Sequence, residues 1–301
     1  MKSVDGISWT DVQSSVLQGI QSGPANRLYS VGVGNGIWLA FGSWEKKYYS
    51  IRGATFNVTK FPDAYQVLCL AYGNGLWIAC DSFHTDNQVR ASAVLYSQDD
   101  GVTFVRSPTG MIGLRDAVFS LTRGLWVGVS GLNGTILSGV SVDGITWDTT
   151  GSNANLLMNR LYSIVFSQQL NLFLATGQKP NGVPTSMIIS SPDGRTWSPM
   201  GTFASIDLAS GNDLAVAELT NGTVVIVVVG DTSPVKRSQI VVSYDKGQSW
   251  VGKVKEDFHV FFLLLYQTCS RESGSARQVT LLELNLFATM LLTKDLLLSE
   301  G

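Results

Sequence analysis

Ser141–Trp147 reads SVDGITW, and variants of this stretch recur along most of the 301-residue chain. Two other copies have the same length, Ser3–Trp9 (SVDGISW) and Ser191–Trp197 (SPDGRTW). Two longer copies carry one extra residue before the glycine, Ser97–Phe104 (SQDDGVTF) and Ser243–Trp250 (SYDKGQSW). The stretch is therefore a repeated unit and not an isolated motif.

The spacing of the copies indicates the size of the repeated structure. A sixth, altered copy, Ser50–Phe56 (SIRGATF), has Arg52 in place of the aspartate. The closing aromatic residues stand at positions 9, 56, 104, 147, 197 and 250, so the spacings are 47, 48, 43, 50 and 53 residues. A period of this size corresponds to one supersecondary unit, as in the blades of a β-propeller. The repeat therefore predicts an all-β propeller.

The residue types of the motif suit a hairpin corner. Glycine adopts a positive φ without steric strain, and short Ser and Asp side chains accept hydrogen bonds from turn N–H groups. The Thr or Ser and the aromatic residue that follow favour a strand. Because each repeat supplies a single aspartate at the motif position, and each blade has one copy, the motif carboxylates cannot cluster into a catalytic or metal site. We therefore predict a structural role for the motif aspartates, which are Asp5, Asp99, Asp143, Asp193 and Asp245.

On these residues the chain resembles the Asp-box (BNR) repeat propellers of the sialidase-like superfamily, over residues 1–255. The resemblance implies a β-propeller of four-stranded antiparallel blades. We predict six blades, five complete and one closed from both termini, with Phe258–Tyr266 joining the N-terminal half-blade. Residues 256–301 would then hold a closing strand and a divergent Leu-rich tail, which fits a helix about as well as a pair of strands.

The composition argues against several classes of partner. Charged residues make up 15% of the chain and the formal net charge is −2, so no basic face for nucleic acid is expected. The longest apolar runs are too short to span a bilayer, and we predict a monomer without a membrane span. No apolar signal-peptide segment follows Met1, so we expect a cytoplasmic protein, or an extracellular one if the N-terminus is truncated.

Cysteine and histidine are sparse. Cys69 and Cys80 face each other across a hairpin predicted around Asn74-Gly75, at a hydrogen-bonded pair where side chains stand further apart. We expect them to be small core residues and not a disulfide. With only His84 and His259 in the chain, a multi-histidine metal site is excluded, and we predict no metal and no cofactor.

Ligand binding is expected on the face that carries the longer loops, because function generally lies on loops over a rigid scaffold. The candidate binding residues on the loops between second and third strands are Trp44, His84, Asp86 and Lys179. Further candidates lie where first strands begin, near the mouth of the central channel, and these are Arg27, Arg115 and Arg160. Sialidase-type propellers use three arginines to hold a substrate carboxylate, so the resemblance implies an acidic ligand. Alternatively, the three guanidinium groups cap carbonyl groups at strand ends.

Two functions follow from these residues. The first is a non-catalytic binding propeller that recognises an acidic glycan or a protein partner on the long-loop face. The alternative is a sialidase-like glycoside hydrolase, which needs two carboxyl groups roughly 5–10 Å apart on one face. The Arg-Ile-Pro segment and Tyr–Glu pair of sialidases are not recognisable here, so we favour binding. A carboxylate pair that converges over the channel would favour the enzyme.

The sequence also contains three Asn-x-Thr sequons, at Asn57, Asn133 and Asn221. Asn221 is explained by its turn, and a glycan on Asn57 would crowd the predicted sheet. We expect mass spectrometry of the protein from its natural source to find all three unmodified. An N-glycan on any of them would contradict both this prediction and the cytoplasmic one.

Overall fold

The computed structural model describes residues 28–42, 46–51, 57–60, 67–81, 94–108, 111, 113–131, 137–180, 187–201, 208–218, 222–231 and 238–253. These residues form strands and one short helix, α1 (Ala154–Leu157). The all-β prediction is therefore confirmed. No helix within these ranges is both long enough and apolar enough to cross a lipid bilayer.

The strands form five consecutive antiparallel meanders, which we call blades. The first blade consists of β1 (Leu28–Gly34), β2 (Ile37–Gly42), β3 (Lys46–Ile51) and β4 (Asn57–Lys60). The second consists of β5 (Val67–Gly73), β6 (Leu76–Asp81), β7 (Val94–Ser97) and β8 (Val105–Arg106). The third consists of β9 (Leu114–Ser120), β10 (Leu125–Ser130) and β11 (Ser138–Ser141), with an isolated bridge between Val140 and Asp148 at the fourth position.

The last two blades follow the same plan. The fourth consists of β12 (Arg160–Ser167), β13 (Leu172–Gln178), β14 (Ile188–Ser191) and β15 (Ser198–Pro199). The fifth consists of β16 (Ser210–Glu218), β17 (Val224–Asp231), β18 (Ser238–Ser243) and β19 (Val251–Lys253). The helix α1 lies in the connection between the third and fourth blades.

The first strands of successive blades contact one another in the order β1, β5, β9, β12, β16. They therefore lie around a common axis, with the later strands of each blade further out, which is the arrangement of a propeller. Closure of a sixth blade from both termini, and the proposed nature of residues 256–301, concern residues outside the described ranges and stay predictions.

The turns between first and second strands bring aromatic residues together. Asn35 and Asn74 have φ values of 49° and 50°, as the predicted Asn-Gly hairpins require. Beside these turns, aromatic side chains pair across the strands at centroid distances of 5.0, 5.1 and 4.8 Å, in Tyr72–Trp77, Phe119–Trp126 and Phe166–Phe173. A Cβ at Gly34 would overlap Tyr72 of the next blade, so the close approach of these blades depends on glycine.

The repeated motif forms a corner between the third and fourth positions of each blade. In the third blade, the Ser141 hydroxyl donates to Asp143 Oδ1 (2.8 Å) and accepts the N–H of Gly144 (2.8 Å). Asp143 Oδ1 also accepts the N–H groups of Ile145 (2.8 Å) and Thr146 (2.7 Å). The φ of Gly144 is +72°, which other residues adopt only with strain. We call this arrangement the Ser-Asp corner.

The same corner occurs in three other blades. In each of them the aspartate accepts the backbone N–H of a residue three or four positions further along the chain. Asp99 accepts the N–H of Thr103 (2.8 Å), Asp193 that of Thr196 (2.7 Å) and Asp245 that of Ser249 (2.9 Å). Desolvation alone would raise the pKa of these carboxyl groups, but the hydrogen bonds outweigh it. They lower the pKa of Asp99, Asp143 and Asp193, and that of Asp245 to about 2.

Each corner also packs on the preceding blade. A Cβ on the corner glycine would collide with a side chain of that blade, at Leu39 for Gly101, at Leu76 for Gly144 and at Val127 for Gly194. The motif therefore has two roles, since it satisfies the turn N–H groups and lets neighbouring blades approach. The second role explains why a residue without a side chain is needed even apart from its φ.

The cysteine pair differs from the expectation. Cys69 and Cys80 are register partners on β5 and β6, as the hairpin predicts, and both are buried. The structure joins them in a disulfide, with 5.1 Å between the Cα atoms. That separation lies within the range that disulfides span, so a hydrogen-bonded pair is close enough for the bond. The expectation of two unbonded core residues is therefore wrong.

We predict that Asp143→Ala lowers the free energy of unfolding by about 1–2 kcal/mol, because N–H groups of the corner lose their acceptor. Chemical denaturation measures this change. Val142→Ala is the matched control, since Val142 belongs to the same corner and is 74% exposed. Arg52→Ala in the altered copy, where no carboxylate stands, is also expected to cost little. Equal losses for Asp143→Ala and these controls would contradict the role of the corner aspartate.

The lowered pKa values predict acid sensitivity. A carboxyl group with a folded pKa below the unfolded value of about 3.9 stabilises the protein above that value, and this contribution is lost as pH falls through the folded pKa. For Asp245 the window runs from about pH 4 down to about pH 2. We expect urea unfolding between pH 5 and pH 2 to show a smaller loss of stability in Asp245→Asn than in the wild type. Identical pH profiles would show that the corner does not hold the charged form.

Candidate functional site: the mouth of the channel

Each first strand has a β-bulge near its start. The extra residue shifts the register between first and second strands at Tyr29, Leu68, Arg115, Tyr162 and Asn212. Because the five first strands surround one axis, the bulges form a ring at the face where these strands begin. The loops between second and third strands start at the same face. We call this region the channel mouth.

Three consecutive blades place hydrogen-bonding side chains immediately after the bulge. Asp116 on β9, Ser163 on β12 and Asp213 on β16 occupy equivalent positions. The Ser163 hydroxyl lies close enough to both carboxyl groups to favour their ionised forms and so to lower their pKa values. Only 5% of Ser163 is exposed, so this contact is shielded from solvent. We call these three residues the Asp-Ser-Asp bridge.

Backbone N–H groups complete the bridge. Asp116 Oδ1 accepts the N–H of Ala117 (2.9 Å), and its Oδ2 accepts the N–H of Ile164 on β12 (2.9 Å). Asp213 Oδ1 accepts the N–H of Leu214 (2.8 Å). Within the described strands β12 pairs with β13 alone, so its other edge needs acceptors from side chains. Asp116 thus links the first strands of the third and fourth blades.

The environment of the bridge perturbs both carboxyl groups. Desolvation chiefly, and the negative charge of Asp213 in addition, raise the pKa of Asp116 to about 7 against the opposing effect of the N–H of Ile164. Desolvation also raises the pKa of Asp213, although hydrogen bonds from Ser163 and Leu214 oppose the change. Each carboxyl therefore holds a proton more readily than a carboxyl in water.

The bulge residues of the same three blades form the rim of the mouth. The exposed Arg115 side chain places its guanidinium carbon 5.8 Å from the centroid of the Tyr162 ring, in the range of a cation–π contact. Asn212 is exposed and donates from Nδ2 to Asp231 Oδ2 (2.9 Å). The mouth rim, defined as Arg115, Tyr162 and Asn212, therefore offers a cation, an aromatic ring and an amide above the buried bridge.

The structure places three of the predicted binding residues in its described part. Arg115 is the bulge residue of β9, and Arg160 is the first residue of β12, two positions before the bulge. Arg160 is partly buried, and its buried Nε has no hydrogen-bond partner among the described residues. Lys179 follows β13 at the same face and is partly buried. The other candidates lie outside the described residues, and these are Arg27, Trp44, His84 and Asp86.

Sequence reasoning missed the bridge. It named none of Asp116, Ser163 and Asp213 as a site residue. The signal was present in the repeat, because alignment of the first strands LRDAVFS and LYSIVFS places Asp116 above Ser163. The bulge was the obstacle, since one extra residue disrupts the regular alternation of side chains along a strand.

The chemistry available at the mouth is that of polar recognition. An aromatic ring with neighbouring hydrogen-bonding groups suits a ligand that combines an apolar face with polar edges. The bridge adds a carboxyl pair of which one member is readily protonated. Within the described ranges, no group of three or more His, Cys, Asp or Glu side chains could hold a metal ion.

Comparison with known proteins supports the fold but does not identify a function. No family model matches the chain, and no curated protein matches it. Among solved structures, the chain is similar to a GH74 enzyme from Niastella koreensis, with a TM-score of 0.53, 15% sequence identity and 77% of the chain covered. An ancestral GH74 enzyme gives a TM-score of 0.57 at 13% identity over 78% of the chain, and the GH74 xyloglucanase from Xanthomonas campestris gives 0.56 at 12% over 77%.

These similarities cover only part of the enzymes. The chain spans 32%, 32% and 39% of the three matched chains. At sequence identities of 12–15%, the similarity concerns the course of the backbone and not the residues of the active site. The similarity therefore does not assign the activity of these enzymes to this chain. The blades described above and these structural similarities together establish a β-propeller.

Proposed function

We propose that the protein is an Asp-box propeller of the sialidase-like type that binds an acidic glycan or a protein partner at the channel mouth without turning it over. The observation that carries the proposal is the mouth rim, where Arg115 lies against Tyr162 on adjacent blades. The repeated Ser-Asp corners support the Asp-box assignment, because four blades share the same hydrogen bonds.

The charges at the mouth favour an acidic ligand. Arg115 is exposed, and a guanidinium group binds carboxylates and sulfates through charge-assisted, often bidentate hydrogen bonds. Asp116 and Asp213 lie below it and would oppose an anion if both were ionised. Desolvation raises the pKa of Asp116 to about 7, so this acid opposes an anionic ligand less than an ordinary carboxylate would near neutral pH.

Glycoside hydrolysis is the second candidate, and the bridge is the observation that favours it. Two carboxyl groups of which one is readily protonated are the chemical requirement of a glycosidase. The hydrogen bonds argue for the binding function instead, because both oxygens of Asp116 already accept backbone N–H groups. A general acid in that position would have to release a structural contact in order to reach the substrate.

The disulfide is relevant to the cellular location of the protein. Disulfides persist in oxidising environments and are rare in the cytosol. The Cys69–Cys80 bond therefore supports an extracellular location for this binding protein over the cytoplasmic expectation. Extracellular proteins also encounter acidic glycans, so this location agrees with the proposed ligand class.

A binding experiment with matched arginine variants tests the proposal. The triple variant Arg27→Gln, Arg115→Gln, Arg160→Gln removes the three guanidinium groups that the sequence predicts at the mouth. The control is Arg123→Gln, because Arg123 lies on the opposite face, where it donates to the Asn171 carbonyl. We expect immobilised sialylated and sulfated glycans and acidic peptides to retain the wild type and the control. The triple variant should bind at least about tenfold more weakly, the loss expected for one charged hydrogen bond.

The melting temperature separates binding from stability. A triple variant that melts near the wild-type temperature but has lost binding supports the proposal, whereas one that unfolds early identifies the arginines as caps of strand ends. Release of sugar from fluorogenic glycosides by the wild type, with no release by Asp116→Asn, would instead establish the hydrolase. Retention of acidic ligands by the triple variant would also overturn the proposed site.

A further inference from the structure

Two exposed Asn-Gly turns have almost the same sequence but different surroundings. The turn of the first blade reads GNGIW over Gly34–Trp38, and that of the second reads GNGLW over Gly73–Trp77. The φ values of their asparagines are 49° and 50°, and those of the following glycines are 74° and 75°. Local sequence and backbone geometry therefore give Asn35 and Asn74 the same intrinsic reactivity, and a difference between them has to arise from tertiary contacts.

The first turn is held by a side chain of the second blade. Asn35 Nδ2 donates to Asp100 Oδ1 (3.0 Å) and to Asp100 Oδ2 (3.2 Å), so the contact crosses the boundary between the two blades. Asp100 is the extra residue that the longer form of the Ser-Asp corner carries before its glycine. A hydrogen bond to an ionised carboxylate is stronger than one between neutral groups. The contact therefore fixes the orientation of the Asn35 amide.

The second turn lacks such a contact. The corner of the third blade packs on the second blade, as Gly144 does against Leu76, but it has the shorter form of the motif without an equivalent of Asp100. Among the described residues, the Asn74 side chain has no hydrogen-bond partner. Asn74 and Gly75 are exposed, and a Cβ on Gly75 would have no heavy atom within 4 Å beyond its chain neighbours. The Asn74 amide is therefore free to rotate and is accessible to water.

We propose that Asn74 is a site of spontaneous deamidation and that Asp100 protects Asn35 from the same reaction. An asparagine amide is chemically labile, and it is most labile before glycine, which has no side chain to shield its N–H. The Gly75 N–H loses its proton to solvent, and the nitrogen attacks Cγ of Asn74. The new N–Cγ bond closes a succinimide ring, while the Cγ–Nδ2 bond breaks and the amide nitrogen leaves as ammonia with a proton from water. Addition of one water molecule at either carbonyl of the ring then gives aspartate or isoaspartate.

Ring closure is hindered at Asn35 for two reasons. Its Cγ has to rotate toward the N–H of the next residue, and this rotation breaks both hydrogen bonds to Asp100. Attack also places negative charge on the amide oxygen, which the neighbouring Asp100 carboxylate disfavours. At Asn74 neither obstacle is present, and the Gly75 N–H has no acceptor among the described residues. The tertiary contact therefore selects the site, since the two local sequences do not.

The reaction would alter a hairpin that has two further links between its strands. Isoaspartate adds one carbon atom to the main chain of a two-residue turn, and loop length determines the register of a hairpin. The Cys69–Cys80 disulfide joins the same two strands, and the rings of Tyr72 and Trp77 lie 5.0 Å apart beside the turn. Deamidation therefore adds a carboxylate at this turn without releasing the hairpin. The inference is independent of the proposed function, because the turn lies on the face opposite the channel mouth.

Incubation of the native full-length protein at mildly alkaline pH tests the site. Peptide mapping by mass spectrometry measures the converted fraction of Asn35 and Asn74, and a protein isoaspartyl methyltransferase labels the isoaspartate. We expect Asn74 to react about tenfold faster than Asn35, the factor for one hydrogen bond to a charged group. In urea-unfolded protein the two rates should become equal, because the surrounding sequences match. Asn74→Gln should remove the methyl label from the peptide that contains this turn.

A variant of Asp100 tests the protection. Asp100 has a φ of 57°, which glycine adopts without strain, so Asp100→Gly removes the carboxylate and keeps the backbone of the corner. In this variant Asn35 should react as fast as Asn74. The Asn74 rate is the internal control, because loss of the contact changes the Asn35 rate alone whereas a general loss of structure changes both. Equal rates at Asn35 and Asn74 in the native wild type, a difference that persists in urea, or an Asn35 rate that Asp100→Gly leaves unchanged would each overturn the proposal.

Discussion

The Ser-Asp corner is the interaction on which the rest of the propeller depends. Its serine and aspartate supply acceptors for the N–H groups of a tight turn, which would otherwise lack partners inside the strand connection. Its glycine meets two demands at once, a positive φ and the absence of a side chain where the preceding blade approaches, as Gly144 does against Leu76. One short motif therefore forms the corner between the third and fourth positions of a blade and also determines how closely that blade packs on the preceding one.

The inner edge of the blades imposes a second constraint. Each first strand pairs with the second strand of its own blade, and among the described strands β1, β5, β9 and β12 have no ladder partner on the other edge. Asp116 meets this requirement between the third and fourth blades, because its Oδ2 accepts the N–H of Ile164 on β12. The second blade has Cys69 at the equivalent position, and a disulfide to Cys80 ties that residue to its own blade instead.

Binding and support occupy different layers of the channel mouth. The bulge residues project to the rim, where Arg115 and Tyr162 are accessible to a ligand, whereas the following residues turn into the wall and hydrogen-bond the strands. Arg115 and Asp116 are adjacent in sequence, and the first contributes a cation to the rim whereas the second contributes an acceptor to the wall.

The sequence by itself determined the repeat, the meander of each blade, the Asn-Gly hairpins and the corners, because each depends on local φ preferences and on side chains a few residues apart. It also determined that Cys69 and Cys80 face each other, although not that they bond. Only the tertiary structure decided the site. The contacts among Asp116, Ser163 and Asp213 join residues nearly fifty positions apart, and the bulges that aim them depend on packing of the first strands around a common axis. Local periodicity contains no information about such contacts, since their geometry arises only when separate blades meet.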